Sequence, residues 1–432
     1  MTAVNMIRKR IPTRAKVFLK SSAALSFRIS RYGINWRRKL ANAITLSDGV
    51  SSTFFGYHDK TPFSRDGRKI LAMSIPISDV KLESECTPIT LGYFVKMEDG
   101  EFRNEFIPFS ETTTWCWQQG CMLQWHPLKS DTHVVFNALI EDGVYGSKIF
   151  DIVHLSVVRE FAYPIYSIDP TGKYAASTNF SRLGRLRPGY GYRVLADLTA
   201  SDSAPSHQGL SIFDLSSGEK IILLVSLEDL AKTAGDPGSQ HYINHATFSP
   251  DGKRVVFFHV WERGGNKGRG LRVCEVDLTT GEWSEVEGDR LVSHYCWRDE
   301  DCFLATTLDN TGTWNYTLYN RQEKSRTDLS LPFSEDGHPM FHPHDKRIIV
   351  TDTYPDNCRD QKLFLANLET RKVHKIGALY SPVKYRKEVR CDLHPRWDRE
   401  GTYVVVDNTH LGKRKMSLIK VNAVSFNMMN LL

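Results

Sequence analysis

Four of the fifteen histidines in this 432-residue chain occupy the same position relative to a short repeated pattern. Each lies three residues before an aromatic residue that precedes a polar turn and an apolar, largely β-branched run: His245, His294, His338 and His394. Imidazoles brought together from separate segments suit a divalent metal. We therefore predict that the last three bind a divalent ion, Mn first among the candidates, and that His245 is a fourth ligand or a catalytic base.

Oxygen donors accompany this set. Asp336 and Asp392 each precede one of the histidines by two residues, so each is either a further ligand or a group that orients an imidazole. Gln119 lies six residues before Trp125, in the second repeat, and is another candidate oxygen donor. The alternative is structural, because the same histidines could hydrogen-bond across a channel and hold the repeats together.

Basic and aromatic residues surround the predicted site. The first repeat has Lys60 in the histidine position and His58 just before it, so His58, Lys60 and His245 are the candidate bases. Arginine forks bind carboxylates in a bidentate manner, and flat aromatic rings stack on sugar faces. The candidate substrate-binding residues are Arg182, Arg185, Arg187, Tyr190, Trp261, Arg263 and Arg396.

The elements that must position these residues repeat along the chain. Seven markers begin the turn pattern: Phe63, Trp125, Ile168, Phe248, Trp297, Phe341 and Trp397. They are 43 to 80 residues apart, which fits four-stranded propeller blades with insertions. We therefore predict an all-β, seven-bladed β-propeller over residues 48–432. Because first strands line the central channel, the four histidines should meet there.

Two features of this architecture remain open in the sequence. The long interval between Ile168 and Phe248 holds either an extra blade or an insertion. The ring is closed by pairing the last blade with the stretch 42–48 or with the C-terminal "NAVSFNMMNLL".

The charge of the chain is concentrated at its N-terminus. Residues 1–47 contain eleven Lys and Arg and no acidic residue, so the rest of the chain is net negative and is not expected to bind nucleic acid. This basic leader is predicted to be either a helix at an anionic membrane surface or a disordered tail. It has no secretory signal pattern, and the eight cysteines form no CxxC pair, which predicts a cytoplasmic protein, with peripheral membrane contact through the leader.

The repeats resemble those of TolB-type propellers, as in "FSPDGKR". Over residues 48–421 the chain is more narrowly similar to the oligogalacturonate lyases, through "DLHPRW" and the histidines of the preceding blades. The resemblance implies a Mn-type ion, held by histidines and a glutamine, that binds a uronate carboxylate while a basic residue removes the C5 proton. Asp392 stands where those lyases have the first of two histidines, and Gln119 is not at the position of their glutamine.

A second resemblance concerns "FFGYHDKTPFS", "RPGYGYR", "DGHP", "DTYPD" and "RCDLHPRW". These stretches are similar to uncharacterised propellers linked with bacterial surface polysaccharide loci, which implies a glycan substrate.

The predicted function is metal-assisted β-elimination on acidic, uronate-containing saccharides. An enzyme alternative is a glycoside hydrolase or transferase that uses Asp59, Asp336 and Asp392, because hydrolysis requires paired carboxylates. The non-enzymatic alternative is a glycan-binding or scaffold propeller, a common use of this fold.

Overall fold

Seven four-stranded antiparallel sheets form the blades of a β-propeller, as predicted. The computed structural model describes residues 13–32, 43–49, 51–76, 81, 85–141, 143–218, 221–262 and 268–421. Within each blade the strands pair in chain order from the channel outward, apart from the outermost strand of the last blade.

The first four blades contain the following strands. Blade 1 contains β2 (Ser52–Phe54), β3 (Lys69–Ile75), β4 (Ile89–Lys96) and β5 (Phe102–Thr112). Blade 2 contains β6 (Gln124–Trp125), β7 (His133–Leu139), β8 (Tyr145–Asp151) and β9 (Ser156–Phe161). Blade 3 contains β10 (Ser167–Ile168), β11 (Tyr174–Ser177), β12 (Gly209–Asp214) and β13 (Ile221–Ser226). Blade 4 contains β14 (Gln240–Phe248), β15 (Arg254–Glu262), β16 (Arg269–Asp277) and β17 (Trp283–Glu287).

The last three blades complete the ring. Blade 5 contains β18 (Leu291–Trp297), β19 (Cys302–Leu308), β20 (Trp314–Asn320) and β21 (Ser325–Asp328). Blade 6 contains β22 (Met340–Phe341), β23 (Ile348–Asp352), β24 (Asp360–Asn367) and β25 (Val373–Tyr380). Blade 7 contains β26 (Arg396–Trp397), β27 (Tyr403–Asn408) and β28 (Lys415–Lys420), and β1 (Ala43–Leu46) is its outermost strand.

The predicted markers end the innermost strands. In blades 2 to 7 the first strand stops at the marker residue itself, and in blade 1 Phe63 forms an isolated bridge with Ile70 of β3. The second strands, such as β15 and β27, are almost entirely buried because neighbouring blades cover both faces. The fourth strands β9 and β21 are largely exposed at the rim.

Ring closure is made by the N-terminal stretch. Strand β1 pairs antiparallel with β28, from Ala43 opposite Ile419 to Leu46 opposite Met416. The propeller therefore begins at Ala43, before the predicted boundary at residue 48. The C-terminal alternative for closure, residues 422–432, lies outside the described residues.

A helix precedes the ring. Helix α1 (Thr13–Tyr32) lies on blade 6, where the buried Arg28 donates a hydrogen bond to the Cys358 carbonyl at 3.0 Å and pairs with Asp360. Among the described helices, none combines the length and apolar character that crossing a membrane requires.

The long interval after Ile168 is an insertion in blade 3 and its linker, not an extra blade. Helix α3 (Leu227–Ala234) has Ser226 as its N-cap and Gly235 in the left-handed conformation after it. Helix α2 (Phe180–Leu186) lies earlier in the same interval. Its N-cap Asn179 accepts a hydrogen bond from the Arg182 backbone N–H at 2.9 Å.

A buried carboxyl in blade 1 predicts a pH dependence of stability. Burial raises the pKa of Glu85 to about 8, although its Oε1 accepts a hydrogen bond from Trp117 N at 2.9 Å. The folded protein retains this proton up to about pH 8, whereas the unfolded chain loses it near the ordinary glutamate pKa of 4.5. The free energy of unfolding should therefore fall as the pH rises between these values, by up to about 1.4 kcal/mol per pH unit.

The Glu85→Gln variant should lack this part of the pH dependence, because the amide keeps the acceptor oxygen but does not ionise. Urea unfolding of wild type, Glu85→Gln and the surface control Glu300→Gln at about pH 5 and about pH 8 measures it. Parallel changes in wild type and Glu85→Gln would contradict this assignment.

Candidate metal centre

The predicted histidines of blades 5, 6 and 7 meet inside the channel. The ring centroids of His294 and His338 are 3.8 Å apart, and those of His338 and His394 are 4.4 Å apart. His245 lies on the other side of Tyr57, whose ring is 4.5 Å from that of His245 and 5.0 Å from that of His394. All four imidazoles are buried. The structure thus brings the four together around Tyr57.

Local backbone irregularities turn these side chains into the channel. The pairing of β14 with β15 shifts register after Asn244, and His245 has a φ of 52°. The pairing of β18 with β19 shifts between Val292 and His294. Such bulges redirect a side chain without ending the sheet. His338 and His394 instead precede Pro339 and Pro395, just before the short strands β22 and β26 begin.

Two of these histidines and one carboxylate could hold a metal ion. His338, Asp392 and His394 each offer one ligand atom, and these atoms lie within 4.8 Å of one another. His338 Nε2, His394 Nε2 and Asp392 Oδ1 are buried and have no hydrogen-bond partner. Unpaired buried polar atoms are costly, so their convergence fits a bound cation. Asp392, which stands in place of a histidine of the lyases, belongs to this group.

The other nitrogen of each imidazole is anchored. His338 Nδ1 donates to Asp352 Oδ1 at 2.8 Å, and His394 Nδ1 donates to the Gly56 carbonyl at 2.7 Å. This fixes the tautomer that leaves a lone pair on Nε2, as in many metal-binding histidines. Asp352 also accepts the backbone N–H groups of His338, at 2.8 Å, and His394, at 3.2 Å. Burial raises the pKa of Asp352 to about 7.

His294 is anchored in the same way. Its Nδ1 is 3.1 Å from the Gly337 carbonyl and 3.3 Å from Asp336 Oδ1. Asp336 also accepts a hydrogen bond from the Ser293 hydroxyl at 2.8 Å. Asp336 therefore orients His294.

Burial favours the neutral form of four imidazoles in and beside this cluster. It lowers the pKa of four imidazoles well below the ordinary value of 6.5, and repulsion from neighbouring histidines is the next cause: His58, His245, His338 and His394. Neutral imidazoles can bind a metal or accept a proton. Burial also raises the pKa of Tyr57 well above 10.0, so this phenol keeps its proton.

The three candidate bases differ in their surroundings. His245 has Tyr57 Oη at 3.5 Å from its Nε2 and Gln119 Nε2 at 3.4 Å from its Nδ1. Lys60 Nζ is paired with Asp59 Oδ2 at 2.7 Å. Both nitrogens of His58 are buried without a hydrogen-bond partner. Gln119 thus lies beside His245 and is not a member of the metal group.

A cavity of about 310 Å³ lies on the side of the channel where the first strands end. It is bounded by His58 and Asp59 and by the markers Phe248, Trp297 and Trp397, among others. Of the imidazole cluster, only His58 contacts this cavity, and its ring is 5.3 Å from that of His338.

Arginine and tyrosine close the opposite mouth. Arg390 donates to Asp392 Oδ2 through Nε at 2.6 Å and to the Tyr190 hydroxyl through Nη2 at 2.5 Å. The Tyr190 ring is 5.9 Å from that of His245 and 4.5 Å from the Arg187 guanidinium. Tyr354 lies 5.8 Å from the His338 ring and from the Arg390 guanidinium. Arg187 and Tyr190 are therefore placed at the cluster.

Sequence reasoning missed four residues of this site: Tyr57, Asp352, Tyr354 and Arg390. All four lie within the quoted stretches "FFGYHDK", "DTYPD" and "RCDLHPRW", which were noted for their resemblance only. The sequence signal that could have identified Asp352 is a polar residue at the end of the second strand of a blade, here β23.

Other predicted substrate-binding residues lie elsewhere. The buried Arg182 guanidinium donates to backbone carbonyls such as that of His241 at 2.6 Å, and Arg185 pairs with Asp197 at 2.9 Å. The Trp261 ring stacks on that of His241 and lies 5.1 Å from that of His259 in a tilted arrangement, all within blade 4. The contact of Arg182 with His241 holds the insertion to blade 4. The structure therefore does not place Arg182, Arg185 and Trp261 at the cluster.

Arg396 contacts backbone carbonyls next to the site. Its Nε donates to the Tyr57 carbonyl at 3.1 Å, and Nη2 donates to the Gly56 carbonyl at 2.5 Å. Arg396 therefore positions the segment that carries Tyr57 and His58 and does not face a substrate. Arg263 lies outside the described residues.

The fold resembles solved lyase structures. An oligogalacturonate lyase in complex with manganese has a TM-score of 0.64 at 13% identity, covering 90% of this chain and 96% of that chain. An oligogalacturonate lyase from Vibrio parahaemolyticus has a TM-score of 0.59 at 11% identity, with 89% and 94% covered. TolB from Acinetobacter baumannii overlaps less, with a TM-score of 0.39 at 13% identity and with 82% and 68% covered.

Sequence comparisons give no match, since no family model and no curated protein matches the chain. The structural comparisons nevertheless confirm the predicted resemblance to the lyase propellers at the level of the fold.

The donor set predicts metal binding. Wild-type protein should retain about one divalent ion per chain after dialysis, whereas His338→Ala and His394→Ala should not, because each loses one of few ligands. Elemental analysis of the purified proteins measures this ratio. His344→Ala is the matched control, because His344 lies in the hairpin that follows β22. Equal metal content in all four proteins would contradict the site.

Asp352 should affect the affinity of the protein for the metal ion, although it does not bind the ion itself. Asp352→Asn keeps the shape of the side chain and one acceptor oxygen but removes the charge that orients His338, so we expect about 10- to 100-fold weaker metal binding. Titration against a competing chelator measures the change, with the exposed Asp289→Asn as control. Unchanged affinity in Asp352→Asn would show that the carboxylate only supports the fold.

Proposed function

We propose that this protein is a lyase that cleaves acidic, uronate-containing saccharides by metal-assisted β-elimination. The observation that carries the proposal is the group His338, Asp392 and His394, whose unpartnered donor atoms converge beside the guanidinium of Arg390. Two imidazoles and a carboxylate suit Mn, which is also the ion named for one structurally similar lyase. When bound, the ion would neutralise the uronate carboxylate and so acidify the adjacent C5–H.

Arg390 is the proposed carboxylate-binding residue. Its guanidinium is held between Asp392 and the Tyr190 hydroxyl, at the mouth opposite the 310 Å³ cavity. Arg187 stands on the other side of Tyr190, so two guanidinium groups flank this entrance. A uronate carboxylate would take the place of Tyr190 or Asp392 on Arg390 in a fork-shaped pair.

His245 is the proposed base. It lies on the Tyr190 side of the cluster, across Tyr57 from the metal group, and its lowered pKa leaves it unprotonated near neutral pH. The C5 proton would pass to His245, the C5–H electron pair would form the C4–C5 double bond, and the C4–O4 bond would break. Tyr57, which keeps its proton, would protonate the leaving O4 oxygen.

His58 is the second candidate base, because both of its nitrogens lack partners. Lys60 is a weaker candidate, because Asp59 pairs with its amine. The hydrolase alternative assigns Asp59, Asp336 and Asp392 as catalytic carboxylates. Each of these already contacts a cation or an imidazole, which favours the elimination chemistry.

The product distinguishes the candidate functions. Oligogalacturonate incubated with metal-loaded protein should give the ultraviolet absorbance of a 4,5-unsaturated uronate, and chelated protein should give none. New reducing ends without that absorbance would indicate hydrolysis instead. Saturable binding with neither signal would leave the protein as a glycan-binding propeller.

Substitutions of Arg390, His245 and His58 test the assigned roles. Arg390→Ala should lower kcat/KM about 100-fold or more, because a charge-stabilising donor is lost, and Arg390→Lys should restore part of it. The matched control Arg68→Ala removes an exposed arginine of a blade 1 hairpin and should leave kcat/KM unchanged.

His245→Asn should abolish turnover with metal content retained. Loss of activity in His58→Asn, but not in His245→Asn, would move the base to His58.

A further inference from the structure

Helix α1 presents an apolar surface away from the propeller. Leu19, Leu25, Phe27 and Ile29 are each 40 to 57% exposed, although they lie within eleven residues of one another. Leu25 and Ile29 are four residues apart, so they are neighbours on one flank of the helix. Leu19 and Phe27 are eight residues apart and share the other flank.

The opposite face fixes the helix on blade 6. Ala24 and Arg28, also four residues apart, are only 4% and 3% exposed. The Arg28 guanidinium lies 4.5 Å from the centre of the Tyr380 ring and pairs with Asp360. Because Arg28 holds one face against the propeller, the apolar side chains on the remaining faces are directed toward solvent.

Charge identifies the kind of surface that would cover these side chains. Residues 1–47 contain eleven Lys and Arg and no acidic residue, whereas the remainder of the chain is net negative. Exposed apolar side chains on a helix within a strongly basic segment match helices that lie in the interface of anionic bilayers. We propose that α1 binds an anionic phospholipid surface, with Leu19, Leu25, Phe27 and Ile29 inserted among the acyl chains.

The position of α1 relates this contact to the channel. The loop between β23 and β24 carries both Cys358, which accepts the hydrogen bond from Arg28, and Tyr354, which lies beside His338. The helix is therefore attached to the same side of the propeller as the mouth closed by Arg390. Membrane binding would hold that mouth near lipid headgroups. The lipid contact itself does not depend on the lyase chemistry.

Vesicle binding tests the proposal on the full chain. The protein should cosediment with vesicles of phosphatidylcholine and phosphatidylglycerol, bind phosphatidylcholine alone much less, and dissociate as salt is raised. The double variant Leu19→Ser and Phe27→Ser should bind the anionic vesicles about tenfold more weakly, because two inserted side chains are lost. The matched control is Val157→Ser and Val158→Ser, which changes exposed apolar residues of β9.

Several outcomes would overturn the proposal. Equal binding to neutral and anionic vesicles would remove the role of charge, and unchanged binding of the helix variant would remove the role of the apolar face. Sedimentation velocity without lipid tests whether a second copy of this chain covers the apolar side chains instead. A dimer that the helix variant dissociates, together with no vesicle binding, would show that a second copy covers this face. Lyase turnover, measured separately on the same variants, distinguishes this failure from failure of the proposed function.

Discussion

Asp352 holds two segments that carry candidate metal ligands, His338 and His394, at once. One of its oxygens accepts both the backbone N–H and Nδ1 of His338, and the other accepts the backbone N–H of His394 in the next blade. The relative position of the two imidazoles is thus set by one buried carboxylate that bridges blades 6 and 7. Without this bridge, only the first strands β22 and β26, each two residues long, would position the two imidazoles.

The same device recurs around the ring. Asp407 at the end of the second strand of blade 7 accepts the backbone N–H groups of Phe55 and Gly56 in blade 1. Asn137 in the second strand of blade 2 binds both backbone groups of Ile165 in blade 3. A polar side chain near the end of a second strand therefore fixes the first segment of the next blade. The candidate metal group thus uses an element of the architecture that also exists in blades 1 and 3, which have Lys60 and Ile165 at the histidine position.

Much of this arrangement could be predicted because it repeats. The hairpin pattern located the end of the first strand in six blades, and the shared register of His294, His338 and His394 located their meeting point. Residues that occur once were not predictable in this way. Arg390 and Tyr190 meet across 200 positions of the chain, and no local pattern indicates that contact. Arg182 and Arg185 were predicted to bind substrate, but a short helix turns them toward blade 4.

Closure of the ring by β1 has a consequence for how the chain is made. Ala43 pairs with Ile419, so β1 is synthesised long before the strand with which it pairs. At about 5 to 20 residues per second, this strand waits roughly 20 to 75 seconds before it can pair. Unpaired strands invite association with other chains during that interval. Completion of the propeller ring therefore waits for the synthesis of β28.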